Sequence, residues 1–285
     1  MNTATATRPL THAELNETLS AVRIPPCPSI VAEVLREAQR DEPSMKVLSR
    51  IVASDVSMSA AAVKLANSPM FSPGSRVRSV QQAVNRLGIN HILSVVVAVA
   101  LRNTSSHLPA DVMERFWSRA STLALAAGVL ARGHVGISPD AAYTFALFQD
   151  AAVPVLMTTF PDYAALYTGA ADHGYSLVQL EQEHFRCDHA VAGWLLARSW
   201  GLSDRIANAI RYHHDPEAYI LPEKELPSDA LALIAVSVIA EHVLGDYTHD
   251  AHAVGDRSFE NAKTFLGVSD AEVDELHDTI AAALI

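Results

Sequence analysis

Cysteine is scarce in this chain: only Cys27 and Cys187 occur in 285 residues. Two thiols exclude a disulfide framework and suit a reducing compartment. Long apolar runs are missing too. The longest, Ile92–Leu101, is about half of what a bilayer span requires. The N-terminal MNTATATRPLTH has no apolar signal region. Together these absences predict a soluble cytoplasmic protein with no membrane association. Alternating β-branched residues between turn clusters are nearly absent, so no sheet is expected. There is no Gly-rich phosphate loop and no nucleophile elbow, which discounts P-loop and serine-hydrolase chemistry. Internal repeats and low-complexity segments are lacking as well.

Apolar residues make up 49% of the chain and charged ones only 19%, enough for a sizeable core. The net charge of −11 is uneven. Up to Ala110 there are 11 Lys+Arg against 7 Asp+Glu; beyond it, 10 against 25. An acidic second half repels phosphate backbones, so a nucleic-acid partner is not expected. In the first half, Arg76, Arg78, Arg86, His91 and Arg102 read as a solvated face rather than a binding stripe.

Helical periodicity runs almost throughout. Residues 1–10 read as a disordered tail, and Thr11-x-x-Glu14 caps a short helix to Ala21. Pro25-Pro26-Cys27-Pro28 is a stiff extended linker. Ser29, Ser44 and Ser79 stand where helix caps are expected. Ser68–Ser79 is a long irregular loop, broken by Pro69, Pro73 and Gly74. Ile89–Arg102 is apolar almost all round and predicts a buried central helix. The polar Asn103–Ala110 stretch marks a boundary between an N-terminal lobe over 11–107 and a second lobe over 108–285. In that lobe Ser138-Pro139-Asp140 starts a helix that Pro154 is expected to kink. Ala230–Gly245 is a further strongly apolar helix, and Glu260–Leu284 adds one or two more.

Histidine stands out against this background. The stretch Glu181–Pro216 holds four of the thirteen: His184, His189, His213 and His214. Two amphipathic helices separated by Gly201–Ser203 would bring His189, near the start of one, towards His213 and His214 at the end of the other. Imidazoles at a helix C-terminus are also explained by the helix dipole. A zinc knuckle of His184, Cys187 and His189 lacks a second ligand pair at the required spacing.

Three N-terminal elements, IPPCPSIVAEVL, ASDVSMSAAAVKLANSPMFS and SVQQAVNRLG, together resemble the HDOD family, signalling domains related to the HD phosphohydrolase superfamily. Asp55, Leu65-Ala66-Asn67-Ser68 and Ala83–Gly88 fall in the family's order, and the resemblance spans roughly Leu19 to Leu244. It implies an all-α protein: an N-terminal helical lobe packed on a C-terminal HD-like helical lobe.

The related superfamily holds one or two divalent metals on histidines and aspartates. Imidazole and carboxylate ligands suit Mn, Fe, Ni or Zn. Transferred to this chain, the resemblance puts Arg119 at the early-helix histidine and Gln149 at the histidine of the His-Asp pair. Asp150, His189, His213 and His214 are kept. The late-helix aspartate falls near Ser237 or Val238, where there is no carboxylate. A guanidinium cannot coordinate a cation, so Arg119 is expected to pair with Asp150 in place of a metal. The resulting expectation is a non-catalytic regulatory protein with no cofactor, acting on protein partners of a bacterial signalling pathway. Two alternatives are a metal-dependent phosphohydrolase acting on nucleotides, and a receptor for a nucleotide or other anion in the vestigial pocket.

Overall fold

A computed structural model of the chain describes residues 22–68, 70–71, 74–173, 176–248 and 256–284. The expected N-terminal tail and the short helix to Ala21 lie outside them, as do parts of the Ser68–Ser79 loop. Among the described residues the fold is entirely helical, without strands. Four helices make the first part: α1 (Ser29–Ala38), α2 (Met45–Ala53), α3 (Val56–Ala66) and α4 (Val80–Thr104). Then follow α5 (Ala110–Arg132), α6 (Pro139–Phe148), α7 (Val153–Thr159), α8 (Tyr163–His173) and α9 (Leu177–Phe185). The chain continues through α10 (His189–Ser199), α11 (Asp204–Tyr212), a 3-10 turn at Ala218–Ile220 and α12 (Ser228–Thr248). It closes with α13 (Asp256–Leu266) and α14 (Asp270–Leu284).

Short polar side chains start these helices. Ser44, Asp55, Ser79, Ser138, Asp188 and Ser203 each accept a hydrogen bond from a backbone N–H in the first turn. Each satisfies one donor that the helix cannot. Asn67 does more. Its amide donates to the carbonyls of Val63 (3.0 Å) and Val77 (2.9 Å), and its oxygen accepts from the Val77 N–H (2.8 Å). The end of α3 is thereby stapled across the irregular loop to the chain entering α4. Arg86 reinforces this by donating to the carbonyls of Ala66 and Ser75.

Helix α4 is the spine of the first part, with α1, α2 and α3 packed against it. Gly88 breaks its helical path with φ 73° and ψ −179°, a conformation that only glycine adopts cheaply. Beyond the break, Ile92, Val95, Val96, Val97, Ala100 and Leu101 are buried, as expected for a central helix. His91 is also buried, between the rings of Phe71 and Tyr143. With Arg86 committed to loop carbonyls, the residues grouped in sequence as one basic face are not a single surface.

Helix α4 packs on α6, α5 runs along α6, and α12 is enclosed by α5, α6, α11 and α13. One continuous apolar core results. The extended Pro25–Pro28 segment docks on the second part, where the Trp200 indole donates to the Pro25 carbonyl at 2.9 Å. Helices α4 and α12 are long and apolar enough to cross a membrane by length and composition, but 56% and 67% of their apolar windows are buried in the fold.

The segment expected as one Pro154-kinked helix is two. Helix α6 ends at Phe148, residues 149–152 form a turn, and Pro154 stands in the first turn of α7. Proline is tolerated there because the N–H it lacks has no helical partner. The break falls just after Gln149, which still has helical dihedrals and donates its N–H to the Phe145 carbonyl, and places Asp150 in the turn.

Candidate metal centre

Three chain segments deliver the site. The α6–α7 turn carries Gln149 and Asp150, α10 begins with His189, and His213 and His214 directly follow α11. Helices α10 and α11 pack against each other. Gly193 permits this: a Cβ there would lie 2.8 Å from Ile210 Cγ2 and 3.7 Å from the Gln149 carbonyl. The donor atoms of Asp150, His189, His213 and His214 all lie within 4.8 Å of one another. Asp150 Oδ1 is 3.3 Å from both His189 Nε2 and His213 Nε2. The ring of His214 lies 4.9 Å from that of His189 and 4.0 Å from that of His213, centroid to centroid.

The other nitrogen of each of two rings is already committed. His189 Nδ1 lies 2.8 Å from Glu181 Oε2 and His213 Nδ1 2.6 Å from the Ile210 carbonyl. Both partners are acceptors, so Nδ1 carries the hydrogen in each ring. In the neutral imidazoles, both Nε2 lone pairs then face the same carboxylate oxygen. His189 Nε2 is buried and forms no hydrogen bond. Three electron-rich atoms can converge this closely only around a positive charge, either protons on the rings or a cation between them.

Glu181 is completely buried and holds His189 from behind. It accepts from the His189 backbone N–H at 3.0 Å and from the Tyr163 hydroxyl. The turn that places it there ends α9 on Arg186, the one non-glycine with positive φ (53°) among the described residues. A carboxylate behind a ligating imidazole is the usual outer shell of a metal site, fixing tautomer and ring orientation. Glu181 and Tyr163 are not among the site residues expected from the sequence, although Glu181 opens the histidine-rich stretch.

Charges follow this geometry. Burial disfavours the ionised form of Asp150, but the adjacent His189 and His213 rings outweigh it, holding the carboxyl well below the usual range. Burial likewise disfavours a charged His189, yet Glu181 and Asp150 raise its pKa well above the ordinary value. His214 is pushed well below its ordinary value by desolvation and by the neighbouring His213 and His189 rings. It therefore keeps a free lone pair.

These residues fit a single divalent cation. The donors are imidazole nitrogens and one carboxylate oxygen, and bond lengths of about 2.1 Å separate two ligands by at most about 4.2 Å. A pair at the 4.8 Å limit must close by about 0.6 Å if its two ligands stand opposite each other and by about 1.4 Å around a tetrahedral ion. His184 and Cys187 do not belong to this group. His184 is exposed, and the buried Cys187 contacts the Asp188 carbonyl.

The remaining candidate positions form a different structure. Gln149 is buried; its oxygen accepts from Ser237 Oγ at 2.6 Å, and its amide donates to Glu241 Oε1 at 2.6 Å. Arg119 Nη2 lies 4.0 Å from the same Glu241 oxygen. Sequence reasoning set Arg119 against Asp150 and found no carboxylate near Ser237 or Val238. Glu241 stands one turn beyond Ser237 on the same face of α12, and the guanidinium forms an ion pair with it. Burial raises the Glu241 pKa, opposed by the charge of Arg119. Arg119, Glu241, Gln149 and Ser237 thus form a hydrogen-bonded and ion-paired chain beside the four donors.

A family model for the HDOD domain matches residues 24–216. The chain belongs to the HDOD family. The match spans the N-terminal elements read from sequence, the Gln149-Asp150 turn and all three pocket histidines. A protein of Treponema pallidum (strain Nichols) with no described function is 26% identical over 207 residues, 69% of this chain and 39% of its own length. The chain therefore spans well under half of that relative. Among solved structures, a protein of Marinobacter aquaeolei VT8 assigned provisionally to signal transduction superposes with a TM-score of 0.72. It is 22% identical, over 95% of this chain and 63% of the other. A protein of Shewanella amazonensis SB2B assigned provisionally as a phosphohydrolase gives 0.68 at 22% identity, over 95% and 94% of the two chains. An HDOD domain protein of unknown function from Geobacter sulfurreducens gives 0.64 at 20% identity, over 96% and 98%. At these identities the structures establish the shared all-helical HD-like fold.

Proposed function

We propose that this HDOD protein is a cytoplasmic regulator that works by binding rather than turnover, with protein partners in a bacterial signalling pathway. The observation that carries this reading is the engagement of Gln149 and Arg119 with Glu241. Both stand where the related enzymes have metal-ligating histidines. Gln149 is held by hydrogen bonds at both ends of its amide, and Arg119 brings a fixed positive charge that opposes a second cation. What is left is a one-cation donor set: Asp150, His189, His213 and His214. A divalent cation bound there would supply Lewis acidity and charge. The protein's own contribution is orientation: Glu181 and the Ile210 carbonyl hold the two Nε2 atoms on Asp150, and Tyr163 steadies Glu181. In this reading the cation joins the α6–α7 turn to α10 and α11, and a partner senses whether the join is made.

One observation favours a second reading. The intact four-donor cluster beside the Arg119 guanidinium could bind and polarise a phosphoester, so a metal-dependent phosphohydrolase acting on nucleotides is the competing function. A panel of phosphodiester and phosphomonoester substrates with Mn2+, Ni2+ or Mg2+ separates the two. Regulation by binding predicts no turnover above buffer. Turnover that is abolished by Asp150→Ala overturns it.

A further inference from the structure

Away from the histidine cluster, a cavity of about 250 Å³ opens at the seam between the two parts of the fold. The α3–α4 side contributes Leu65, Ser68, Val95 and Val99, and the α5–α6 side contributes Trp117, Leu125, Tyr143 and Leu147. Its walls are mostly apolar, but they are not chemically neutral. The only charged residues among those lining it are Lys64 and Arg102, both exposed and both positive. Trp117 is 4% exposed, and its indole N–H, a group that can only donate, has no hydrogen-bond partner. The buried Ser68 hydroxyl is also unpartnered. Buried polar groups are normally satisfied, and exceptions call for an explanation. Both residues line one cavity that is roomy enough for a ligand, with these two polar atoms themselves closed off behind its wall.

We propose that this seam cavity binds a small amphipathic anion, an apolar body of single-ring or medium-chain size bearing one carboxylate. The lining dictates the class. Apolar walls select the body, and Lys64 and Arg102 at the rim select a negatively charged head. Size follows from volume. A dry cavity of about 150 Å³ accommodates benzene, about 25 Å³ per heavy atom, so the seam has room for about ten. Octanoate has ten. The occupant would touch both parts of the fold and would lie against α6, the helix that leads directly into Gln149 and Asp150. The inference does not depend on whether the histidine cluster holds a metal.

The test is isothermal titration of the full chain with octanoate, with 1-octanol as an uncharged control of matching length. The expected result is saturable one-to-one binding of octanoate and at least tenfold weaker binding of octanol. The double variant Lys64→Gln/Arg102→Gln, which alters only exposed side chains, is expected to weaken octanoate at least tenfold. Ala98→Leu, which narrows the cavity from a further wall position on α4, is expected to weaken binding at least tenfold while circular dichroism shows an unchanged helical fold. Absence of octanoate binding, octanol binding as tight as octanoate, or full affinity in the Lys64→Gln/Arg102→Gln protein would each overturn the proposal.

Discussion

Replacing Glu181 by glutamine probes the architecture of the histidine cluster more sharply than replacing a ligand. The carboxylate is wholly buried and meets three donors: the His189 backbone N–H, His189 Nδ1–H and the Tyr163 hydroxyl. Glutamine keeps the shape but has one acceptor oxygen. That oxygen can serve His189 only if the new amide group faces Tyr163, whose hydroxyl must then turn to accept. The main loss is a charge-assisted hydrogen bond to the imidazole, about 1.5–3 kcal/mol. Glu181→Ala is worse, because it orphans all three donors and leaves His189 without its buried counter-charge; losses of about 3–5 kcal/mol are typical of such breaks. Urea denaturation at fixed pH, with the m-value checked for constancy, reads both. A second readout is specific to the proposed role. Because Glu181 orients a ligand without touching the cation, Glu181→Gln is expected to weaken Mn2+ binding about 10–100-fold in calorimetry of folded protein. Stability within 0.5 kcal/mol of wild type, or undiminished Mn2+ affinity, would refute the reasoning.

Other expectations are simpler. Asn67→Ala removes three hydrogen bonds, two that staple the end of α3 to Val77 in the chain entering α4 and one to the Val63 carbonyl within α3. At about 1 kcal/mol each it should cost about 3 kcal/mol in urea denaturation, and a loss under 1 kcal/mol would show that the loop is held by other means. His91 bears on pH. Its folded pKa lies below the ordinary 6.5 because burial disfavours the charged ring, with Asp140 partly opposing. The unfolded chain therefore takes up a proton at His91 before the folded chain does, and stability falls as pH drops below about 6.5. Arg132 is the other charge acting on the ring, and it works in the same direction as burial. His91→Phe should flatten the decline between pH 7 and 5; an unchanged slope would contradict this origin.

The helices were legible in sequence because their caps and apolar periodicity are local. Ser44, Ser79 and Ser138 mark real helix starts, and the apolar stretch after Gly88 is the buried spine. Ser29, expected as a cap, is instead the first residue of α1, and Pro28 holds the cap position without a side-chain hydrogen bond. The α6–α7 break was harder to see. Pro154 is visible as a disruption, but nothing local distinguishes a kink at proline from a first-turn proline preceded by a turn. That distinction decides how Asp150 is presented. The three histidines and Asp150 were found through their resemblance to a family pattern, and the fold brings them together. Their supports were not found, for a physical reason. Glu181 acts across a left-handed turn at Arg186, and Glu241 reaches Gln149 from a helix about ninety residues away. Pairings of that kind depend on how helices pack, which composition and spacing do not encode. His91 was misread for the same reason: a polar residue between Asn90 and Ile92 gives no local hint that two aromatic rings enclose it.

The account rests on a site that can hold one cation and not two. The most direct measurement is metal content per chain by mass spectrometry after loading with excess Mn2+ and desalting, for wild type and Asp150→Ala. The predicted result is at most one equivalent in the wild type, lost in the variant. Two equivalents per chain would contradict the account, because they would require Arg119 and Gln149 to leave Glu241 and make room for a second ion.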